Sequence, residues 1–224
     1  MDLKITNKKA YKIELLGILL YVIFIALAML TYAGGTQDNP SNPGYSFWFN
    51  TFSDSGRTVA HNGKPNITAL IFFSMAISIS AITLVPFFLV LPRLFNEDSL
   101  ENKLTRIGGY IGILSSIAMI GVMFTPADIL YPPHMIFAIL SYFSNLGTFI
   151  AYTIAIYRSK SFSKIYNYYF IIALVVFVVS LVIGLSGVAI GIRSFLTIGQ
   201  KIGTIALLFS YLVLTYGAWK LEDN

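Results

Sequence analysis

Long apolar runs, separated by short polar segments, dominate the chain from residue 13 onwards. A helix needs about 20 mostly apolar residues to cross the hydrocarbon core of a bilayer. Six runs reach or approach this length, and they cover residues 13–33, 67–91, 107–124, 133–157, 168–192 and 202–219. The pattern therefore predicts an all-α fold, an integral membrane bundle of six transmembrane helices.

Composition supports this fold, and the residues outside the spans leave little for a separate soluble domain. The chain has 224 residues, of which 56% are hydrophobic and only 11% are charged. A soluble domain carries about 25% charged residues to cover its water-facing surface. The first apolar run is also longer than the core of an ordinary signal peptide. We therefore expect one membrane domain over residues 1–224, with an uncleaved first span.

The basic residues predict the orientation. Most of the 15 lysines and arginines fall on one side, in the N-terminal segment, the second and fourth connections and the C-terminal end. The other side holds Arg57, Lys64, Arg193 and Lys201. Cytoplasmic loops carry an excess of Lys and Arg, so we expect cytoplasmic termini and a place in the cell membrane. The net charge of +5 then reflects orientation and contact with the lipid bilayer, not a nucleic-acid partner.

The central parts of the predicted spans contain no Asp, Glu, Lys, Arg or His. Glu14 and Lys201 lie near span edges. Charges in a membrane interior mark proton relays, ion paths and voltage sensors, so their absence argues against those functions. It also argues against a retinal protein, which needs a mid-span lysine, and against a haem held between mid-span histidines. The chain has no cysteine, which excludes disulfides, thiolate metal sites and thiol chemistry.

Small residues recur at every fourth position in two spans. Gly108, Gly112 and Ser116 have this spacing in the third span, and Gly187 and Gly191 have it in the fifth. Such spacing lets helix backbones approach closely. These glycines either pack helices within one chain or form the contact face of a homo-oligomer.

Polar residues form a stripe along the fourth span. Steps of three and four residues join Ser141, Asn145 and Thr148, which places them on one helix face. That face should point into the bundle, because an amide that faces lipid is costly. The stripe is either a set of interhelical hydrogen bonds or the lining of a cavity.

The predicted outer side carries most of the residues whose side chains suit ligand binding or catalysis. Its first loop, residues 34–66, is long for a connection, and long loops in compact proteins are often functional. Both histidines of the chain lie on this side. The candidate metal ligands, for a divalent ion such as zinc, are Asp54, His61, Asp128 and His134.

His134 has a specific physical context. Pro133 favours the first turn of a helix, so His134 should lie at the N-terminus of the fourth span. The helix dipole disfavours a charged imidazole there, and a neutral ring suits a metal ligand or a base. Structural roles are also open, with Asp54 capping a turn, Asp128 bonding its own backbone and His134 lying at the interface. There is no HExxH or paired-His helix motif.

Three short motifs carry a resemblance to a known family. They are Asn50 to Gly56 (NTFSDSG), Phe124 to Asp128 (FTPAD) and His134 to Ala138 (HMIFA). The chain here resembles the archaeal and bacterial membrane proteins catalogued as domain of unknown function nine-nine-eight, and it departs from them at Ser55, where an apolar residue is usual. The resemblance covers nearly the whole chain in span number and order. It implies a six-span fold and no particular activity.

A looser similarity is to the membrane hydrolase superfamily that includes alkaline ceramidases, which use Ser, Asp and several His around zinc. It implies Ser53, Asp128 and His134 as candidate catalytic residues. The His-x-x-x-His pair and the third histidine of that group are missing here. Ser53 also lacks the Gly-x-Ser-x-Gly elbow, and serine beside aspartate is common in turns.

Three functions remain open from the sequence. The first is a binding, sensing or assembly protein with a small polar site at its outer face. The second is a metal-dependent hydrolase or transferase that acts on a lipid near the outer leaflet. The third is a transporter of lipid or a small solute that uses the polar stripe of the fourth span.

Overall fold

The structure is a computed structural model that describes residues 6–223, so Lys4 of the basic N-terminal segment lies outside the described residues. Its α-helices are α1 (Asn7–Leu30), α2 (Ile67–Val90), α3 (Leu100–Phe124), α4 (Tyr131–Arg158), α5 (Lys164–Ile190) and α6 (Arg193–Asp223). Two short 3-10 helices, Phe52–Gly56 and Leu91–Leu94, flank α2. Within residues 6–223 there is no β-strand, and all six α-helices are long and apolar enough to cross a membrane. The predicted fold class is confirmed.

The helices extend beyond the apolar runs that predicted them. α1 begins at Asn7, α3 at Leu100 and α6 at Arg193, each ahead of its run. A helix continues into polar flanks wherever its backbone hydrogen bonds are satisfied, and hydropathy does not register those flanks. Ser99, for example, accepts the backbone N–H of Asn102 and so caps the start of α3.

Proline and glycine set two neighbouring helix ends. Pro132 and Pro133 occupy the first turn of α4, where a missing backbone N–H costs nothing. Gly191 ends α5 in a left-handed conformation with φ of 73°, which glycine adopts without a steric penalty. We call the end of the bundle formed by residues 31–66, 125–130 and 191–192 the loop face, and the opposite end the terminal face.

Consecutive helices pack against each other around the bundle. The most extensive contacts join α3 to α4, α5 to α6 and α1 to α2, and α1 also contacts α6. Large apolar side chains such as Ile82, Ile117 and Val179 are exposed at mid-helix positions. An apolar surface of this extent suits hydrocarbon and would be a liability in water. The fold is that of a multi-pass membrane protein.

Aromatic rings fill the bundle towards the terminal face. Tyr11, Phe87, Phe88, Tyr152 and Tyr211 are buried in one cluster that draws on α1, α2, α4 and α6. The rings of Phe87 and Tyr211 meet edge to face with their centroids 6.2 Å apart, a geometry that the ring quadrupoles favour. Packing of this kind fixes the helices that support the loop face.

The polar stripe of α4 bonds to neighbouring helices. Asn145 Nδ2 donates to Ser115 Oγ of α3 at 2.6 Å, and the Tyr211 hydroxyl of α6 donates to Asn145 Oδ1 at 2.9 Å. Thr148 donates its hydroxyl to the Gly108 carbonyl of α3 at 3.0 Å. These bonds satisfy buried polar groups and hold three helices in register.

Part of the same stripe also lines a cavity. Ser141 Oγ lies 3.1 Å from Ser115 Oγ in a hydrogen bond, and both Ser141 and Asn145 border a space of about 90 Å³ inside the bundle. Thr148 is not among the residues that line this space. Ser141 and Asn145 therefore combine both roles that the sequence left open.

Two ionisable residues of the helices are buried inside the bundle. Glu14 is fully buried in α1, where the Thr215 hydroxyl of α6 donates to one of its carboxylate oxygens. Lys201 is only 1% exposed within α6. Both helices begin before their apolar runs, so both residues lie about two turns inside their helices. The expectation that both side chains lie at the edges of the membrane spans stays a prediction.

The predicted packing glycines make contacts within the chain. A Cβ added at Gly108 would lie 2.7 Å from the Tyr152 ring, and one at Gly112 would lie 2.6 Å from the Phe88 ring. A Cβ at Gly187 would lie 2.5 Å from a backbone nitrogen of α6. Gly191 instead ends α5. A homo-oligomer through these four glycines stays a prediction.

A close approach between α5 and α6 gives a test of the packing. A Cβ at Gly199 would lie 2.5 Å from the Ser180 carbonyl oxygen, whereas one at Gly184 would meet nothing nearer than 3.9 Å. We expect Gly199→Ala to lower the free energy of unfolding by about 1–3 kcal/mol, because the two backbones must separate. Gly184→Ala should change it by less than about 0.5 kcal/mol. Reversible unfolding in mixed micelles measures both, and equal losses would contradict this contact.

The absence of cysteine makes the orientation easy to test. Ser41 on the loop face and Ser161 on the terminal face are both exposed. We expect Ser41→Cys to react with a membrane-impermeant thiol reagent in intact cells, because the less basic side faces outward. Ser161→Cys should react only after lysis. The reverse labelling pattern would invert the predicted orientation.

Candidate functional site

The long connection between α1 and α2 is folded onto the loop face. The Asn66 side chain accepts the backbone N–H of Ala33 at 3.1 Å. It also donates to the carbonyl oxygens of Ser55 and Arg57, each at 3.0 Å. These bonds join the start, the middle and the end of the connection, so it presents a fixed surface.

Asp54 lies at the centre of this surface. Thr51 and Asp54 form a capping box, in which the Thr51 N–H donates to Asp54 Oδ2 at 2.8 Å and the Asp54 N–H donates to Thr51 Oγ1 at 3.2 Å. Arg193 Nη2 donates to Asp54 Oδ1 at 2.7 Å, and His61 Nε2 lies 3.2 Å from the same oxygen. The side chain is only 2% exposed. Both oxygens of a buried carboxylate are thus satisfied.

Burial and pairing act on the Asp54 carboxyl in opposite directions. Burial raises the pKa of Asp54. The hydrogen bond from His61, the charge of Arg193 and the Thr51 N–H together lower it by more than burial raises it. The resulting pKa lies well below the ordinary value of 3.8, so the group is ionised at neutral pH. Because an ionised carboxylate only accepts hydrogen bonds, His61 Nε2 carries the shared proton.

Lys201 of α6 anchors the same loop by a second contact. Its ammonium donates to the carbonyl oxygen of Asn50. It also lies 5.5, 4.9 and 5.1 Å from the ring centroids of Tyr45, Phe47 and Phe52. A hydrogen bond together with aromatic faces offsets the cost of burying a charge.

The start of α6 therefore holds the loop at three positions. Gln200 Oε1 accepts the backbone N–H of Phe52 at 2.7 Å, immediately before Lys201. Arg193, the first residue of α6, reaches Asp54. Since all three side chains belong to one helix, α6 determines where the loop lies.

Asp128 ties the connection between α3 and α4 to the same loop. Its carboxylate accepts the Thr58 N–H at 3.1 Å, the Thr58 hydroxyl at 2.6 Å and the Val59 N–H at 2.9 Å. Partial burial raises the pKa of Asp128, and these bonds outweigh that effect and lower it. Asp128 is a bridge between two loops.

His134 lies near the start of α4, as the sequence predicted, and its side chain is buried. Its side chain lies at the loop face. Its Nδ1 lies 2.7 Å from the Thr125 carbonyl oxygen. A carbonyl oxygen can only accept, so Nδ1 carries a proton. The positive end of α4 disfavours a second proton on the ring. Neutral His134 therefore offers Nε2 as a hydrogen-bond acceptor.

These groups surround a pocket of about 530 Å³ between the loop and helices α4, α5 and α6. Its polar end is lined by Thr51, Ser53, Asp54, Arg57, His61, His134, Arg193 and Gln200. Its apolar part lies between α4 and α5 and is lined by Ala138, Ile139, Phe143, Leu181, Leu185 and Val188. The volume falls in the range of about 300–1,000 Å³ that is usual for small-molecule sites.

The four predicted metal ligands do not meet at one point. Asp54, His61 and His134 line the pocket, and Asp128 lies outside its lining. Within residues 6–223, no three His, Asp or Glu side chains lie close enough to hold a metal ion. A divalent ion would also have to displace the cationic and N–H donors that already occupy Asp54. The residues present do not fit a zinc site.

The predicted catalytic grouping is divided in the same way. Ser53 and His134 line the pocket, whereas Asp128 does not. The carboxylate that pairs with a histidine is Asp54, which contacts His61. The pocket thus brings together a different set of residues from the one that the hydrolase similarity implied.

Several residues of the site were not singled out from the sequence as site residues: Arg57, Arg193, Gln200 and Lys201. One signal was available. The three cations among them stand on the side of the chain that carries few basic residues. Basic residues kept on that side, against the usual bias, are candidates for a specific role.

Replacing Asp54 tests the anchor of the loop. We expect Asp54→Asn to destabilise the closed loop by about 3 kcal/mol, because Arg193 loses its counter-charge. Asp38→Asn removes an exposed acid from the same loop and should cost less than about 0.5 kcal/mol. The rate of proteolytic cleavage within residues 31–66 measures opening. Equal rates in the two variants would contradict the proposed anchor.

The lowered pKa of Asp54 also predicts a pH dependence. A carboxyl group whose pKa is lower in the folded state stabilises that state above its ordinary pKa of 3.8, and this stability is lost as the pH falls through the lowered value. Fluorescence of Trp48, recorded in a Trp219→Phe background, should be constant between about pH 5 and pH 8 and change only in stronger acid. An acid-induced change that persists in Asp54→Asn would assign it to another group.

Comparison with family models, with curated proteins and with solved structures gives no match. The resemblance carried by the three short motifs stays a prediction, and so does the looser similarity to ceramidase-like hydrolases. What the protein does has to be inferred from its pocket.

Proposed function

We propose that this protein binds an amphiphile of the membrane, with the polar head in the loop-face pocket and the apolar part between α4 and α5. The observation that carries the proposal is the division of one pocket into a polar end and an apolar part. A hydrocarbon would leave the polar end without hydrogen-bond partners, and a water-soluble solute would leave the apolar part without apolar contacts. An amphiphile matches both.

The apolar part of the pocket is open to the side of the bundle. Ile139 and Phe143 of α4 line the pocket and are 42% and 49% exposed. Leu185 and Val188 of α5 line it and are 42% and 46% exposed. Residues that border a pocket and also face the surroundings form its rim, so a membrane amphiphile can enter sideways without crossing water.

The polar end is preorganised for a ligand. Arg57 Nε donates to the Val59 carbonyl oxygen at 3.1 Å, and Arg193 is held by Asp54. Groups that are fixed before a ligand arrives lose little conformational entropy when it binds. With the basic connections in the cytoplasm, the pocket would take its ligand from the outer leaflet of the cell membrane.

The two alternatives have less support. Metal-dependent hydrolysis or transfer needs a ligand set, and within residues 6–223 no three suitable side chains gather. Transport along the stripe of α4 needs a path, and Ser141 and Asn145 border only about 90 Å³ of space. Their polar groups also bond to α3 and α6. Binding is the function that the geometry supports best.

Filling the apolar part tests this function. Ala138 lines the pocket on α4, whereas Ile136 on the same helix is 65% exposed and outside the lining. We expect Ala138→Phe to weaken binding of a photoactivatable phospholipid by about tenfold, because the added ring occupies the space of the acyl chain. Ile136→Phe should bind as the wild type does.

The site of cross-linking provides the second readout. Peptide mapping by mass spectrometry should place the acyl-chain cross-links on α4 and α5, next to the apolar part of the pocket. Cross-links distributed evenly over all six helices, or equal binding by the two phenylalanine variants, would contradict the proposed function.

A further inference from the structure

The polar end of the pocket carries an excess of positive charge. Among the described residues that line it, Arg57 and Arg193 are cations and Asp54 is the carboxylate. Just outside the lining, Lys201 contacts the Asn50 carbonyl and Asp128 bonds Thr58 and Val59, so their charges offset each other. The lining itself keeps one more cation than carboxylates, so this end of the pocket favours an anion.

Both guanidinium groups retain donors for such an anion. Arg193 uses Nη2 for Asp54, and its Nε makes no hydrogen bond within the described residues. Arg57 uses Nε for the Val59 carbonyl. A guanidinium has five N–H groups in a planar fork that matches the oxygens of a phosphate. The positive ends of α4 and α6 add to the attraction, since both helices begin at the pocket.

A cationic head group finds no free carboxylate at this end. Asp54 is 2% exposed, and both its oxygens already accept hydrogen bonds. Tyr45, Phe47 and Phe52 surround the ammonium of Lys201 and do not line the pocket. A choline or ethanolamine group would therefore lie beside two arginines with no carboxylate to offset the repulsion.

His134 adds a requirement for a hydrogen-bond donor. Its Nδ1–H is used by the Thr125 carbonyl, and its ring lines the pocket. With Nδ1 protonated, Nε2 is the nitrogen with which the ring can accept a hydrogen bond from a ligand. A hydroxyl group can donate to it, whereas a phosphate ester oxygen cannot.

We propose that the ligand is an anionic phospholipid whose head group carries hydroxyl groups and no cation. Its phosphate faces Arg57 and Arg193, and a head-group hydroxyl donates to His134 Nε2. This assignment rests on the proposed amphiphile-binding function. The same head-group chemistry occurs in a free glycerol phosphate, which lacks acyl chains, so the two sources have to be compared directly.

Competition against the photoactivatable phospholipid, with the full chain in nanodiscs or micelles, compares the head groups. Phosphatidylglycerol, phosphatidylethanol and phosphatidylcholine are used with identical acyl chains, together with free sn-glycerol 3-phosphate. We expect phosphatidylglycerol to compete best. Phosphatidylethanol has the same charge without hydroxyls and should be about fivefold weaker. Phosphatidylcholine should be about tenfold weaker or worse, and free glycerol phosphate should not compete.

A charge-matched pair of variants tests the role of the arginine. Arg57 lines the pocket, whereas Lys64 is an exposed cation of the same loop outside the lining. We expect Arg57→Gln to weaken phosphatidylglycerol competition by about tenfold and to remove its advantage over phosphatidylcholine. Lys64→Gln should preserve both. Equal effects of the two variants would assign the preference to general surface charge and overturn the inference.

The outcomes separate this inference from the function on which it rests. Equal competition by phosphatidylglycerol and phosphatidylcholine, with binding still lost in Ala138→Phe, would overturn the head-group assignment and leave amphiphile binding standing. No competition by any lipid, with no effect of Ala138→Phe, would overturn both. Free glycerol phosphate competing as well as phosphatidylglycerol would overturn the assignment to a lipid.

Discussion

A carboxylate removed from water must find charge and hydrogen bonds elsewhere, and the loop face is arranged around that need at Asp54. Leaving the group unpaired would cost several kcal/mol. Arg193 supplies the charge, while Thr51 and His61 supply hydrogen bonds. These partners come from the first residue of α6 and from two separate parts of the loop. Satisfying one side chain therefore fixes three segments relative to one another.

Lys201 is a buried cation and needs partners for the same reason as the buried carboxylate does. Its ammonium is enclosed by a backbone carbonyl and aromatic rings of the loop, two turns along α6 from Arg193. Two anchors at different heights on one helix prevent the loop from sliding along it. The space left between the anchored loop and the helices α4 and α5 is the pocket. Its positive charge excess follows from the anchoring, because the loop brings both Asp54 and Arg57 to a helix end that already carries Arg193.

The bilayer explains why so much of the fold could be read from the sequence. Each span needs a long apolar run whatever its neighbours are, so hydropathy located all six helices. It located α6 only from residue 202, because the first turns of that helix contact the loop and carry polar residues such as Gln200. Asp54, His61 and His134 were identifiable because that side holds both histidines of the chain and few of its acids. Which of them pair could not be read, since Arg193 meets Asp54 across 139 positions of sequence, and no local pattern encodes such a contact.

That long separation delays formation of the pocket during synthesis. The chain is synthesised from its N-terminus, so α1 and the loop are made well before α6. Until α6 is in place, Asp54 lacks the guanidinium of Arg193, and the loop lacks its contacts with Gln200 and Lys201. The part of the pocket wall that α6 supplies is missing as well. Folding of the loop face is therefore coupled to insertion of α6, and a truncation before Arg193 would leave the loop without its anchors.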